Sequence, residues 1–218
     1  MEKVLLAISI PVLILGALMW MLHQLTVAWK RRKVDFPVGC GELTETLLKK
    51  HGLDYRIIHD SSTVGRCDWS RRTIWLGYGE KESHLAAVFQ AAHEVGHAVH
   101  GPPLFGKVVR LFWGAYFAWL LACLWSGFTH NETGWLLVPM ALLFGVWTLD
   151  SWVDELRATW YARRELEGLT ADRAAKTALQ VHFFAYCLVS IALPVSFSVA
   201  LLSTGELFRR FGALMGVS

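Results

Sequence analysis

Charged residues and cysteines are both scarce in this sequence. Asp, Glu, Lys and Arg make up 18% of the 218 residues, below the roughly 25% that soluble domains carry. The four cysteines lie far apart and show no C-x-x-C spacing, which excludes a disulfide framework and predicts reduced thiols. The net charge is only +3, so composition predicts no nucleic-acid partner.

Apolar residues, in contrast, are abundant and fall into long runs. They make up 54% of the chain and include eleven tryptophans, a composition typical of a membrane protein. Four stretches approach the ~20 residues that a helix needs to cross a bilayer. We therefore predict a mainly α-helical membrane protein with about four transmembrane helices. The stretches are Val4–Trp29, Leu111–Phe128, Trp135–Val153 and Phe183–Leu202.

The distribution of basic residues predicts the orientation in the membrane. Four of them follow the first apolar stretch at positions 30–33, whereas only Lys3 precedes it. By the positive-inside rule, the N-terminus lies outside. With four crossings, the inner segments 30–110 and 154–176 hold 18 of the 21 Lys and Arg residues, and the C-terminus is also outside. The first stretch is too long for a signal-peptide core and is predicted to be a retained anchor.

One segment, about 34–107, has the composition of a soluble α+β unit. "GELTETLLKKHG" predicts a short amphipathic helix, and "YRIIHD" and "RRTIWLG" predict two strands that form a hairpin. A further helix ends at Gly101-Pro102-Pro103 and is too short and too polar to cross a membrane. We predict one domain over 1–218, with an anchor (1–29), a cytosolic segment (30–107) and the remaining spans (108–218).

That last helix carries the motif "AAHEVGHAVH". Residues four apart lie on one helix face with Cβ atoms about 6 Å apart, so His93 and His97 can bind one zinc ion. Glu94 is offset around the axis, where it can act as general base on a water beside the metal. The alternative is a buried helix whose histidines are satisfied by hydrogen bonds. A buried, unpaired Glu94 would be costly, however, and a nearby divalent cation relieves that cost.

A catalytic zinc site needs a third protein ligand. His100 shares the helix and is poorly aimed, and the longer pattern H-E-x-x-H-x-x-G-x-x-H fails because its positions here are His100 and Pro103. The other candidates are acidic residues from the end of the third apolar stretch onward. Most of them lie on the predicted helix "VDELRATWYARREL". Among Asp150, Asp154, Glu155 and Glu165, we favour Glu155.

These residues resemble those of the YugP-like neutral zinc metallopeptidases of bacterial membranes. "AAHEVGHAVH" matches the family's motif, Glu155–Thr159 matches its E-x-x-A-S with Thr for Ser, and "ELTETLLKKHGLD" and "DWSRRTIWLG" are similar to its upstream elements. The resemblance covers most of residues 30–202. It implies one anchor, a small cytosolic segment and three further spans. It also implies one Zn²⁺ held by His93, His97 and Glu155, with Glu94 catalytic.

Two related protease families fit less well. HtpX-type proteases share H-E-x-x-H with a later E-x-x-A-D, but they normally have two spans before the motif, and Thr159 here replaces the Asp. Site-2-type intramembrane proteases bury the motif within a span and add an Asp-Gly motif, for which "TLDSW" offers Asp150 without the glycine.

Two non-enzymatic alternatives remain open. A membrane scaffold would hold a structural zinc with four protein ligands, often including a cysteine beside His93 and His97. A chaperone-like or regulatory binder could share the fold with a dead site, although the complete set of His93, Glu94 and His97 argues against that.

Further polar residues give weaker hypotheses. His182 and Tyr186 are four apart near the inner end of the last span. They either stabilise the transition state by polarising the carbonyl, or the histidine only snorkels to the interface or bonds to a neighbouring helix. The strand Thr73–Gly77 either holds an extended substrate at the sheet edge or only packs. Arg157, Arg163 and Arg164 are predicted to be a solvated stripe facing lipid headgroups.

The sequence as a whole predicts a zinc endopeptidase of the bacterial cytoplasmic membrane. It would hydrolyse a peptide or membrane-protein substrate at the cytosolic membrane face.

Overall fold

The computed structural model describes residues 2–31, 34–62, 64–129 and 134–216. Side chains at 2–12, 29–31, 106–107, 109–110 and 134–137 lie outside this description, as does the basic run 30–33. The described chain is mostly helical with one small sheet, as predicted. Its elements are α1 (Glu2–Arg31), α2 (Cys40–Lys50), β1 (Arg56–His59), β2 (Arg66–Asp68), β3 (Thr73–Leu76), α3 (Leu85–His100), α4 (Leu104–Phe128), α5 (Gly134–Glu167) and α6 (Arg173–Met215).

The two short helices before the apolar half follow their local sequence signals. α2 buries Leu43, Leu47 and Leu48, carries acid in its first turn and lysines in its last, and so complements the helix dipole. α3 begins after His84, whose Nδ1 accepts a hydrogen bond from the Ala87 amide at 3.3 Å. It ends at Gly101, whose φ of 76° a residue with a side chain rarely adopts. Both helices confirm the sequence prediction.

The predicted hairpin is wrong. The two predicted strands pair, but in parallel, with Arg56 opposite Thr73 and His59 opposite Leu76. A third strand, β2, forms within the stretch read as a turn and pairs antiparallel with β3, giving the order β1-β3-β2. Parallel pairing requires a crossover of about a dozen residues, and the segment containing β2 provides it. A three-residue strand is too short to show an alternating pattern, so no local pattern indicates it.

This sheet order also decides which strands have free edges. β3 is the central strand, and its Thr73, Ile74 and Leu76 are buried. Because both of its edges are already hydrogen-bonded, Thr73–Gly77 cannot receive a substrate strand in the way the sequence suggested. The strands with an outer edge are β1 and β2.

The chain divides into two compact units. The first comprises residues 1–17, 103–152 and 191–218, and its aromatic core includes Phe112, Tyr116, Trp119 and Phe144. The second comprises 18–102 and 153–190 and contains α2, the sheet, α3, the end of α5 and the start of α6. Its core is built on residues such as Leu76, Phe89 and Leu166. The prediction of a single domain over 1–218 stays a prediction.

Two helices contain stretches long and apolar enough to cross a membrane. Within the described residues these are Leu111–Phe128 and the 43-residue helix Arg173–Met215, which contains the predicted Phe183–Leu202. The described apolar part of the first predicted span, Leu13–Ala28, is shorter, and the rest of that span lies outside the described side chains. The predicted span Trp135–Val153 also begins with side chains outside the description. The core helix of a soluble protein can have the same length and apolar composition.

Candidate metal centre

The helix α3 holds two histidines with their Nε2 atoms facing each other. His93 and His97 are four residues apart, and both are buried. Their Nε2 atoms are 3.0 Å apart. The i, i+4 spacing therefore produces the convergence that the sequence predicted.

Glu155 of α5 completes a group of three ligand atoms. Its Oε2 lies 3.3 Å from His93 Nε2, and its Oε1 lies 3.7 Å from His97 Nε2. Two ligands held about 2.1 Å from a tetrahedral zinc ion are about 3.4 Å from each other. The three separations in this centre bracket that value. The group that could hold a metal ion is thus the predicted one, His93, His97 and Glu155.

A contact between two small residues brings α5 this close to α3. A Cβ atom added to Gly96 would lie 2.8 Å from Ala158 Cα and 3.0 Å from Ala158 O. Only glycine allows the backbones to approach so closely. His93 lies three residues before Gly96, and Glu155 lies three residues before Ala158, so each ligand is one turn from the contact. The close approach places the carboxylate at the histidines.

Oxygen atoms contact the remaining imidazole nitrogens. His97 Nδ1 lies 3.1 Å from Asp154 Oδ2, and His93 Nδ1 lies 3.3 Å from Thr159 Oγ1. When both imidazoles are neutral and carry their proton on Nδ1, both Nε2 atoms present lone pairs to each other and to the Glu155 carboxylate. Three electron-rich atoms at these distances repel one another unless a proton or a metal ion lies between them. The donor set therefore fits a divalent cation.

The roles of Asp154 and Thr159 do not follow from the local sequence pattern. That pattern indicates Asp154 only as a candidate ligand and Thr159 only as a variant position of E-x-x-A-S. Their positions on α5 could have indicated these roles, because Asp154 directly precedes Glu155 and Thr159 follows it by four residues. The hydroxyl of Ser190 also hydrogen-bonds to the Glu155 carboxylate.

Burial and neighbouring charges move the pKa values of the three ligands. Burial favours neutral His97, but the hydrogen bond with Asp154 and the charges of Glu155, Asp154 and Glu94 outweigh it and raise the pKa of His97 to about 9. Burial dominates at His93 and lowers its pKa. Burial alone would raise the pKa of Glu155, but the hydrogen bond with His93 and the two imidazoles lower it. Of the two histidines, His97 therefore holds a proton more readily than His93.

Glu94 is buried beside the ligand group but is not part of it. Its carboxylate accepts a hydrogen bond from the backbone of Cys67. A Cβ on Gly65 would lie 2.7 Å from Glu94 Oε1, so the glycine leaves room for the carboxylate. Burial raises the pKa of Glu94 to about 8; His97 opposes that shift, and Glu155 and Asp154 add to it. A carboxyl with this pKa exchanges its proton near neutral pH.

Cys67 is the cysteine that the structural-zinc alternative would require near the centre. It lies close enough for the charges of Glu94 and Asp154, after burial, to raise the pKa of its thiol far above the usual value. It nevertheless contributes no atom to the ligand group, which within the described ranges contains three residues and no cysteine. The four cysteines are free thiols, as predicted. A closed site with four protein ligands is therefore not formed by the described residues.

The other candidate ligands have different partners. Asp150 accepts hydrogen bonds from the Leu104 and Phe105 amides, at 3.2 and 2.9 Å, and so caps the start of α4. Glu165 Oε2 pairs with Lys50 Nζ at 2.6 Å. His100 Nδ1 donates to Gly96 O at 2.7 Å, within its own helix. Asp154 lies at His97 Nδ1, and Glu155 is the member of the four carboxylates that belongs to the ligand group.

His182 and Tyr186 lie close to the centre at different distances. The Tyr186 ring centroid is 4.8 Å from that of His93, so this tyrosine packs directly on a ligand. His182 packs on Phe89, at 4.8 Å between centroids, and Phe89 also contacts Tyr186 at 5.3 Å. Among the described residues, no hydrogen-bond partner reaches the buried His182 Nδ1. The transition-state role of both residues stays a prediction.

Comparison of the chain with models of known protein families, with curated proteins and with solved structures finds no match in any of the three. The likeness to the YugP-like metallopeptidases rests on the quoted residues alone and stays a prediction. The function is therefore argued from the geometry of the centre.

Proposed function

We propose that this chain is a membrane-integrated, zinc-dependent endopeptidase. The observation that carries the proposal is the group formed by His93, His97 and Glu155, with Glu94 adjacent and outside it. Catalytic zinc sites use three protein ligands and leave a position for water or substrate, whereas structural sites use four. Three ligands beside a free carboxyl therefore favour hydrolysis over a structural role.

The residues around the centre have different roles in the proposed reaction. A zinc ion held by His93, His97 and Glu155 would supply a Lewis acid that polarises the scissile carbonyl and lowers the pKa of water. Asp154 and Thr159 orient the imidazoles by contacting their Nδ1 atoms, so that both Nε2 atoms face the ligand site. Glu94 takes a proton from the attacking water and later gives it to the nitrogen of the leaving amine.

The free edge of β2 is the better place for an extended substrate. β2 ends the sheet on the side away from β1, and the backbone of its Cys67 hydrogen-bonds to the Glu94 carboxylate. A peptide added to this edge would pass next to the catalytic carboxyl and could bond to main-chain groups of β2 other than the Cys67 amide, which already donates to Glu94. We therefore place the substrate strand at β2 rather than at Thr73–Gly77.

Exposed apolar side chains support the membrane location. In α4, Leu111, Phe117, Leu121 and Trp125 are 60–74% exposed. In α5, large apolar residues recur at intervals of four, four and three positions and are 50–67% exposed; they are Val138, Leu142, Val146 and Leu149. A contiguous apolar helix face is unfavourable in water and favourable in lipid. We therefore keep four spans, with both termini outside and the centre facing the cytosol of a bacterial cell.

The decisive experiment separates metal binding from proton transfer. Full-length protein purified in detergent is assayed for zinc by mass spectrometry and for cleavage of a degenerate peptide library. We expect about one zinc per chain in wild type and in Glu94→Gln, with cleavage reduced at least about 100-fold in the variant because its general base is lost. Glu155→Ala should lose both zinc and cleavage.

The exposed Glu45→Gln on α2 is the matched control and should behave as wild type. Cleavage by Glu94→Gln at the wild-type rate would refute the mechanism. Stoichiometric zinc in a wild-type protein that cleaves no peptide would favour the scaffold.

A further inference from the structure

A groove lies along the second half of α5, apart from the metal centre. It has a volume of about 680 Å³ and is lined mainly by α5, with His100 at the end of α3. None of the three metal ligands lines it. Its walls divide into an apolar part and a cationic part, and neither has a role in the proposed hydrolysis.

The apolar wall is formed by Val153, Leu156 and Trp160. Their spacing of three and four residues places them along one side of the helix. Trp160 is 57% exposed, and Val153 is also exposed. Large apolar side chains that line an open groove indicate a ligand with an apolar portion.

The cationic wall contains Arg157, Arg163 and Arg164. Arg163 Nε pairs with Glu167 Oε1 at 2.7 Å, and its guanidinium lies 5.4 Å from the Trp160 ring centroid. Arg164 is exposed and lies 3.4 Å from Glu165 Oε1, a carboxylate whose other oxygen pairs with Lys50. Arg157 is exposed. Three guanidinium groups against one lining carboxylate leave the groove positively charged.

A buried tyrosine also lines the groove. Tyr161 lines the groove and is only 5% exposed. Its hydroxyl oxygen is buried, and within the described part of the chain it has no hydrogen-bond partner. Its ring contacts His51, at 5.6 Å between centroids, and the Arg164 guanidinium, at 5.7 Å. Because this oxygen has no accessible surface, a ligand in the groove would meet the charges and the apolar wall rather than the hydroxyl.

We propose that the groove binds one anionic phospholipid. Arg157 and Arg164 donate to the phosphate oxygens, and an acyl chain lies against Leu156 and Trp160. Inorganic phosphate would use the arginines and leave the apolar wall in water. An acidic peptide would satisfy the charges but not an apolar surface of this length. The lipid matches both walls, and its binding does not depend on peptidase activity.

The test measures lipid retention by the full-length protein. Detergent-purified protein is equilibrated with equal amounts of phosphatidylglycerol and phosphatidylcholine of the same acyl chains, and bound lipid is counted by native mass spectrometry. We expect one retained phosphatidylglycerol per chain. The double variant Arg157→Gln, Arg164→Gln should bind it roughly thirtyfold more weakly, because each arginine near an anionic headgroup contributes about fivefold.

Matched variants separate a specific site from general surface charge. Arg173→Gln removes an exposed arginine outside the groove and should leave retention unchanged. Tyr161→Phe keeps the ring, removes only the buried hydroxyl and should leave retention unchanged. Should the double variant fail to fold, the single variant Arg157→Gln decides, with an expected loss of about fivefold.

Four outcomes would overturn the proposal. Equal retention of the two lipids would show that the groove does not select an anionic headgroup. An equal loss in Arg173→Gln and in the double variant would leave only general surface charge. Displacement of the lipid by excess inorganic phosphate would identify a free-anion site, and displacement by an acidic hexapeptide would identify a peptide site.

Discussion

The substitution Gly96→Ala tests whether the α3–α5 contact sets the geometry of the metal centre. The added Cβ would lie 2.8 Å from Ala158 Cα, and ordinary contacts begin at 3.4 Å. The atoms it meets are backbone, so the helices themselves must separate, by at least about 0.6 Å. Metal–ligand distances tolerate only about 0.2 Å. Glu155 would then no longer reach an ion held by His93 and His97 without strain.

The cost of this substitution can be bounded. Overpacking by one methyl group typically costs about 1–3 kcal/mol. If that cost falls on the zinc-bound form, the zinc affinity falls between about fivefold and 150-fold. Alanine also has the higher helix propensity, so α3 itself is not weakened. The expected loss is therefore specific to the contact between the two helices.

Zinc affinity is measured by competition with a chelator, together with melting temperatures with and without zinc. The control is Gly145→Ala on α5, where an added Cβ meets nothing within 4 Å; it should bind zinc as wild type does. Wild-type zinc affinity in Gly96→Ala would refute the argument that this contact positions Glu155.

Three further predictions follow from the centre. Asp154→Asn removes the carboxylate beside His97 Nδ1 and should lower zinc affinity about 10- to 100-fold; equal affinity by chelator competition would exclude the positioning role. The pKa values of about 9 for His97 and about 8 for Glu94 exceed their ordinary values of 6.5 and 4.5. Their protons therefore stabilise the metal-free fold at lower pH, so the melting temperature of the metal-free protein should fall as pH rises from 6.5 to 9. Zinc affinity should rise over the same range, because zinc binding releases the His97 proton. A melting temperature that rises over this range would contradict that sign. Gly65→Ala places a methyl group 2.7 Å from Glu94 Oε1 and should lower kcat about tenfold or more with zinc retained; an unchanged kcat would show that the carboxyl moves freely.

Local sequence patterns predicted the helices well because their signals lie within a few residues. The apolar spacing and terminal charges of α2, and Gly101 at the end of α3, mark elements that the structure contains. The sheet was predicted less well. Its strands are three or four residues long, and β1 pairs with β3 across β2. Pairing between distant strands depends on contacts that no local pattern records.

For the metal centre, the sequence by itself determined the two histidines and the adjacent glutamate, because i, i+4 geometry follows from the helix alone. It narrowed the third ligand to four carboxylates and favoured Glu155 among them, without the distances that decide between them. Tertiary structure selected Glu155, since the contact between Gly96 and Ala158 fixes how α5 lies against α3. It also gave Asp154 and Thr159 their places at the imidazoles. These contacts join residues about 60 positions apart, and a side chain's distant neighbours are set by packing of the whole unit rather than by the sequence around it.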